Sequence, residues 1–533
     1  MLLDEQNLEV RHLEKVEGII QENLRALFSR RDELKEEVRS VRRDMWELGR
    51  HQVRDFDDVV TLSMEGSVVK NAEIQYEQNE RQIERHERQR ACPYFARLDY
   101  DDGGTGRSIY IGIYSLRGEG ARRMEVIDWR APAASMFYSF DLGPGWFEAA
   151  GGKRQVNITL KRQFKIEDGE LLLMYDADSA MYDEILGQVL SENTSHNLKV
   201  IIGSIQKEQN AAIRGDTRRS CLIYGLAGSG KTSVGLHRLA YILYHNRDKI
   251  RHEDILVISN NSIFGSYISG ILPDLGEEPV DSTVFHHILS DAVGDRYDVQ
   301  EYYGYLKAVD ADKDRARLLT VKCSLEFLSW CEEYFAAFNY KLPTVKYREL
   351  TVFSSENVEG RWDAQRFSSF KAGYELLRQM AKDQAEEFFM FNKQRILLDI
   401  EQENQELSER EQTSVYNRLK REYTANILDE IGRLNRLDPE KQAVDILKNY
   451  LEGIGEDGYP AAELFREFQE GRLSYENALY YLFIRILMGE TDQRTSVKHI
   501  VIDEAQDYNL LQLRIIRKLY PKSIFTLLAD VFQ

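Results

Sequence analysis

Cysteine is scarce in this chain: Cys92, Cys221, Cys323 and Cys331 are all there are in 533 residues. None stands in C-x-x-C spacing, so neither a zinc site nor a disulfide framework is expected, and the four read as structural residues of a reducing compartment. Long apolar runs are missing as well. No stretch approaches the ~18 apolar residues of a spanning helix, and the N-terminus opens on charged helical sequence where a signal peptide would carry a basic segment and an apolar core. The expected location is the cytoplasm, with no membrane partner. Positive charge is in deficit, 70 Lys and Arg against 89 Asp and Glu, for a formal net charge of −19. A protein that lives on nucleic acid presents enough Lys and Arg to displace phosphate counterions. This chain repels DNA on average, although a local basic groove would still hold a strand. The same acidity suits docking on the basic channels of a nucleic-acid enzyme. Internal repeats and low-complexity linkers are absent too.

What is present begins with a seam. Leu13, Val16, Ile20, Leu24, Leu27, Leu34, Val38, Val41, Met45 and Leu48 recur at steps of three and four with one step of seven, the pattern of a heptad stripe. One long helix is expected over residues 5–48. After a break around Gly49 to Asp55, the stretch Phe56 to Arg90 is again rich in Glu, Gln and Arg, and an antiparallel coiled-coil hairpin is the simplest reading. Its tip gathers Glu47, Asp55, Asp57 and Asp58, either a functional carboxylate cluster or a solvated turn. From Pro93 to about Asp178 the texture changes to short alternating runs, Ser108 to Leu116, Met124 to Trp129, Met136 to Phe140 and Gln155 to Ile166, which predict strands of a small β-rich module. Helix is expected again from Asp178 to Ile213. Further strands are expected at Ser220 to Tyr224, Ile255 to Ser259, Thr283 to Phe285, His499 to Ile502 and Ile524 to Leu528, forming a parallel set. Between roughly His286 and Thr495 lies a helical, charged block, with Asp383 to Arg436 almost free of breakers. So long a stretch is an inserted domain and no loop.

The chemistry concentrates in two motifs. Gly225-Leu226-Ala227-Gly228-Ser229-Gly230-Lys231-Thr232 fits G-x-x-x-x-G-K-[ST] and stands between a short apolar strand and helical periodicity. Backbone N–H groups of such a loop close around phosphate oxygens, with Lys231 reaching the β/γ-phosphates, Thr232 placing its hydroxyl on Mg²⁺ and Ser233 following in the helix. Asp503-Glu504-Ala505-Gln506-Asp507 ends the apolar strand His499 to Ile502. There Asp503 would hold Mg²⁺ and Glu504 would orient and deprotonate the attacking water. Each motif is incomplete alone, and together they predict ATP hydrolysis coupled to movement. Gln209, about twenty residues before the loop, offers a donor and an acceptor for the adenine edge, or is a plain exposed helical glutamine. Gln533, after Thr526 to Asp530, would sense the γ-phosphate.

The order of Gln209, the P-loop, DEAQD and T-x-x-x-D-x-x-Q resembles superfamily 1 helicases of the UvrD/Rep/PcrA type, as does His237-Arg238-Leu239-Ala240-Tyr241. In the N-terminal half, Pro93 to Asp99, Tyr110-Ile111-Gly112, Asp128-Trp129-Arg130-Ala131-Pro132, Leu160 to Phe164 and Ile205 to Asn210 resemble the HelD family of RNA polymerase recycling ATPases. The resemblance implies an α/β fold: a P-loop RecA-like parallel sheet core at 179–285 and 496–533 with a helical insertion at 286–495. A coiled-coil arm at 1–92 and a β-rich module at 93–178 precede it. It also implies ATP and Mg²⁺ as cofactors, bacterial RNA polymerase core as partner, with DNA a second one, and an arm that enters the secondary channel of the polymerase. Two departures stand out. Ala529 replaces the glycine usual before Asp530, and the sequence stops at Gln533, before the second RecA-like domain that supplies arginines to the γ-phosphate. Loss of such an arginine is worth roughly 10³ to 10⁵ in rate, so weak ATP binding and very slow hydrolysis are expected of these residues alone. A 3′-to-5′ DNA helicase in repair and a non-hydrolysing polymerase-binding module remain the alternatives.

Overall fold

A computed structural model describes residues 2–50, 56–118, 123–176, 205–226, 228–260, 265, 268, 270–294, 296–311, 313–336, 344–354, 370–405, 407–434, 438–456 and 459–531. The chain divides into two compact units, Met1–Ile255 with Ile263–Asp281, and Leu256–Ser262 with Ser282–Gln533.

The first unit opens with two helices, α1 (Leu2–Arg50) and α2 (Phe56–Ala91). The stripe explains their pairing. Leu13, Val16, Ile20, Leu24 and Leu34 are buried, each worth roughly 1.5–3 kcal/mol relative to exposure, while Leu27, Val38 and Val41 are half-buried. Arg42 pairs with Glu73, Arg31 with Glu80 and Arg90 with Glu17, so the helices run antiparallel. Their root packs on a six-stranded sheet. Its strands are β1 (Ala96–Asp101), β2 (Gly106–Gly112), β3 (Ile127–Asp128), β4 (Gly143–Ala149), β5 (Gly152–Glu167) and β6 (Glu170–Asp176). They run in the order β3-β2-β1-β5-β4, with β6 also on β5. Leu13, Val16, Ile20, Leu24 and Ile83 share one core with Tyr94, Leu116, Val126, Phe164 and Ile166. A polar lock joins it. Glu9, 1% exposed, accepts from Arg97 Nη1 at 2.6 Å and from the Tyr110 hydroxyl at 2.9 Å, and Arg162 reaches it at 3.4 Å.

One expected strand is wrong. Met136 to Phe140 is no strand: Ser135–Ser139 forms a single helical turn, α3, with Met136, Phe137 and Tyr138 buried in succession. A half-exposed strand would alternate, and the turn satisfies its own backbone through Phe137 N–H to Ala134 O at 3.1 Å. Beyond it come α4 (Lys207–Arg214), β7 (Cys221–Gly225) and α5 (Lys231–His245).

The second unit holds neighbouring strands in the order β11 (Ile524–Asp530), β10 (His499–Ile502), β8 (Ile255–Ser259), β9 (Asp281–Val284). β10 and β11 are parallel, His499 opposite Ile524, and all four β10 residues are buried, as a central parallel strand requires. α6 (Phe285–Val293) follows β9. The block that follows is helical around Tyr475–Met488, in which every residue but Arg485 is buried, the mark of a helix packed on all sides. The run Asp383 to Arg436 divides into the helices Phe370–Phe391, Lys393–Glu403 and Glu409–Leu434. Local side-chain bonds replace the missing Gly and Pro as breakers: Asn392 Nδ2 donates to Phe388 O at 2.9 Å, and Glu411 accepts from Ser408 N–H at 2.9 Å. The chain is thus mixed α/β, with a parallel strand pair, a helical hairpin and a large helical block. Among the described residues no helix is long and apolar enough to cross a membrane.

Candidate functional site

The phosphate-loop residues lie in the first unit. β7 ends at Gly225, and the chain turns through Gly228 (φ 76°) and Gly230 (φ 80°, ψ 20°) into α5. Both angles lie in the left-handed region that glycine enters without strain. A Cβ on Gly225 would meet Ser229 Oγ at 2.8 Å, so the loop is drawn tight there. The Lys231 ammonium donates to the carbonyls of Gly225 at 3.1 Å and Leu226 at 3.0 Å, lying across the loop. Thr232 and Ser233 occupy the first turn of α5. A left-handed glycine turn, a helix N-terminus and an ammonium over the loop make a cradle that fits phosphate. Ala227 lies outside the described residues.

Gln209 stands beside this loop. It is half-buried at the third position of α4; its Oε1 accepts from Gln206 N–H at 3.0 Å, and its Nε2 lies 3.7 Å from where a Gly230 Cβ would stand. What holds α4 there is Arg238, 1% exposed on α5, which donates to Ala212 O at 2.8 Å, Gly215 O at 3.2 Å and Asp216 O at 2.9 Å. These are the carbonyls that a helix end leaves without partners, and a cation there also meets the negative end of the dipole. Arg214 works from the other side, donating to Trp129 O at 2.5 Å and Arg130 O at 2.9 Å. His237 is fully buried, and burial pushes its pKa down to about 4. Its neutral ring lies 2.6 Å from Ser233 O and 5.5 Å, edge to face, from Trp129. Trp129 and Arg130 of the β-module thus reach the phosphate-loop helix. No local pattern marks Arg214, which lies past the Ile205 to Asn210 run and 84 residues from Arg130, whose carbonyl it holds.

The acidic motif belongs to the second unit. Asp503, 5% exposed, follows β10, and its N–H donates to Ile258 O of β8 at 3.2 Å. Glu504 adopts φ 48°, ψ 50°, left-handed backbone that costs a non-glycine residue of order 1–3 kcal/mol and gathers at functional sites. Its carboxylate accepts from Gln506 Nε2 at 2.7 Å, while Gln506 Oε1 accepts from the Asp530 N–H at 2.9 Å. One amide therefore links the candidate base to the end of β11. Asp507 accepts from Asn260 Nδ2 at 2.9 Å, adding the residue after β8. Neither Gln506 nor Asn260 was singled out from the sequence. Beside them, Asn260, Phe285, His286, Tyr302, Tyr475 and Gln512 line a pocket of about 310 Å³, where the His286 ring stacks on Tyr475 at 6.3 Å. Gln533 and Asp55 lie outside the described residues, as do the side chains of Glu47, Asp57 and Asp58.

Comparison with protein families matches residues 9–187 to the N-terminal domain of DNA helicase IV HelD and residues 205–533 to the UvrD/REP helicase N-terminal domain. The chain belongs to the UvrD/REP helicase family. Its two matches together make it a HelD-type, UvrD-like superfamily 1 helicase. No curated protein matches the chain.

Proposed function

We propose that this chain is an ATP-dependent motor that binds bacterial RNA polymerase and promotes its release from nucleic acid. In this reading Gly225 to Ser233 cradle the phosphates, Lys231 reaches the β/γ-phosphates, Thr232 and Asp503 hold Mg²⁺, Gln209 reads adenine, Gln533 senses the γ-phosphate and Glu504 positions the attacking water. Bound Mg²⁺ would offset charge on the transferring phosphoryl group. The observation that carries the nucleotide half is the left-handed Gly228 and Gly230 turn that leads Lys231 onto the start of α5. Binding of a fluorescent ATP analogue tests it. Lys231→Ala should weaken binding at least tenfold, and unchanged affinity refutes the assignment.

The polymerase half rests on the hairpin. Among the described residues its shared core with the sheet reaches no further than Phe28 on α1, leaving residues 29–50, about 33 Å of helix at 1.5 Å per residue, to extend the arm. An acidic chain with such an arm suits a basic channel better than a phosphate backbone. Co-sedimentation with RNA polymerase core at physiological salt tests this, comparing the intact chain with one whose residues 36–70 are replaced by a short turn. Binding lost with the arm is expected; equal binding by both chains overturns the role of the arm.

A DNA helicase is the second reading. The pocket lined by Phe285, Tyr302 and Tyr475, with the amides of Asn260 and Gln512, favours it, because aromatic faces beside hydrogen-bonding groups suit an unstacked base. Salt-sensitive binding of single-stranded DNA by the chain alone, lost in Tyr302→Ala, would select this reading.

A further inference from the structure

We propose that the groove between α2 and residues 273–279 of the first unit binds a small phosphate-bearing ligand, clamped by Arg85 and Arg88. The groove encloses about 770 Å³, within the range of small-molecule sites. Gln78, Gln82, Arg85 and Arg88 line it from one side; steps of four, three and three put these donors on one face of α2. Tyr114, Pro273 and Gly276 form the opposite wall. Gly276 has φ +93°, and a Cβ there would meet Arg130 Nη2 at 2.9 Å and Tyr114 at 3.1 Å, so this wall admits only glycine.

Three carboxylates, Glu84, Glu277 and Glu278, line the groove with three arginines, Arg81, Arg85 and Arg88. Asp128 and Glu277 are both engaged by the buried Arg130, and Glu278 by Arg81 at 2.6 Å and His252 at 3.1 Å. Among the described residues neither Arg85 nor Arg88 meets a carboxylate within ion-pair distance. Arg85 instead lies 4.8 Å over the Tyr114 ring, and burial lowers its pKa, the sign of a desolvated cation short of a counter-ion. Asn79, 8% exposed, also lines the groove. A phosphate monoester or diphosphate has enough acceptor oxygens for two guanidinium forks one helical turn apart. On a chain of net charge −19, diffuse attraction of anions is unfavourable, so retention of one requires local geometry.

Inorganic pyrophosphate is the probe, titrated calorimetrically into the full chain. Two classes of site are expected, one removed by Lys231→Ala and the other weakened at least tenfold by Arg85→Gln with Arg88→Gln. Arg88→Glu, at an exposed position, repeats the test with an unchanged thermal midpoint and should abolish the second class. In the Lys231→Ala background, competition by ADP but not by a sugar phosphate would mark a nucleotide as the ligand; the reverse would mark a phosphorylated metabolite. A single class lost wholly in Lys231→Ala overturns the groove. A single class lost only in the arginine variants overturns the nucleotide loop and leaves the groove standing.

Discussion

Arg238→Met is the most informative single change in the first unit. The guanidinium donates to three carbonyls at 2.8 to 3.2 Å, with a fourth, Ile213 O, at 3.4 Å. Removing it leaves buried acceptors at the end of α4 unpaired, at about 1–3 kcal/mol each if water cannot reach them. Methionine fills most of the volume and relieves one cost, since burial lowers the Arg238 pKa and no carboxylate pairs with it closely. Lost carbonyl partners outweigh the relieved desolvation, and the net loss should be about 2–4 kcal/mol. Guanidinium unfolding followed by tryptophan fluorescence measures it, because Trp129 packs on His237 one residue before Arg238. The functional consequence is separate: with α4 released, Gln209 leaves Gly230, and ATP-analogue affinity should fall about tenfold, or ~1.4 kcal/mol. A midpoint and an affinity both unchanged would refute the account of Arg238. Lost stability with full affinity would refute only the link to Gln209.

Glu277 should make stability depend on pH. Its burial, with repulsion from Asp128 added, pushes its pKa from 4.5 to about 7 against the pull of Arg130, because Asp128 already neutralises that guanidinium. The folded state therefore holds the proton more tightly. Stability is full below the ordinary carboxylate range, falls as pH rises from about 4.5 through about 7, and levels above, a total of ~3 kcal/mol. Glu277→Gln should flatten that slope in urea midpoints measured between pH 4 and 8; an unchanged slope would place its cause elsewhere. Gln506→Ala should lower single-turnover ATP hydrolysis at least tenfold with analogue affinity within twofold, since it loosens Glu504 and β11 without touching the phosphate loop. Equal loss of affinity and rate would show a merely structural role. Glu9→Gln weakens the bonds from Arg97, Arg162 and Tyr110, but Arg97 keeps Asp99 and Arg162 keeps Asp176 and Glu5, so about 1.5 kcal/mol of stability should go with it; no change in chemical unfolding would contradict the polar lock.

Local patterns carried most of the fold. The seam from Leu13 to Leu48 predicted a helix that runs from Leu2 to Arg50, and the apolar run before Gly225 predicted β7 within a residue. Periodicity fails where three successive residues are buried, as at Met136 to Tyr138, because one helical turn and a short strand share that pattern. It fails again at Asn392, whose side chain ends a helix that composition alone would continue. Residue types and spacing singled out Lys231, which follows the left-handed Gly230, and Asp503, which follows β10. Arg130 with Glu277, 147 residues apart, and Gln506 with Asp530 leave no short-range pattern. Such pairs exist only once the chain has closed, so a sequence window cannot register them.

The lock at Glu9 gives the hairpin a mechanical character. A rod pinned by apolar packing alone can swivel at its base, whereas directional charged bonds from Glu9 to two strands oppose rotation. The hairpin is in that sense a cantilever with a built-in end. Its tip compliance grows as the cube of the free length, so adding or removing whole heptads beyond Phe28 would tune the force it delivers far more steeply than the distance it reaches.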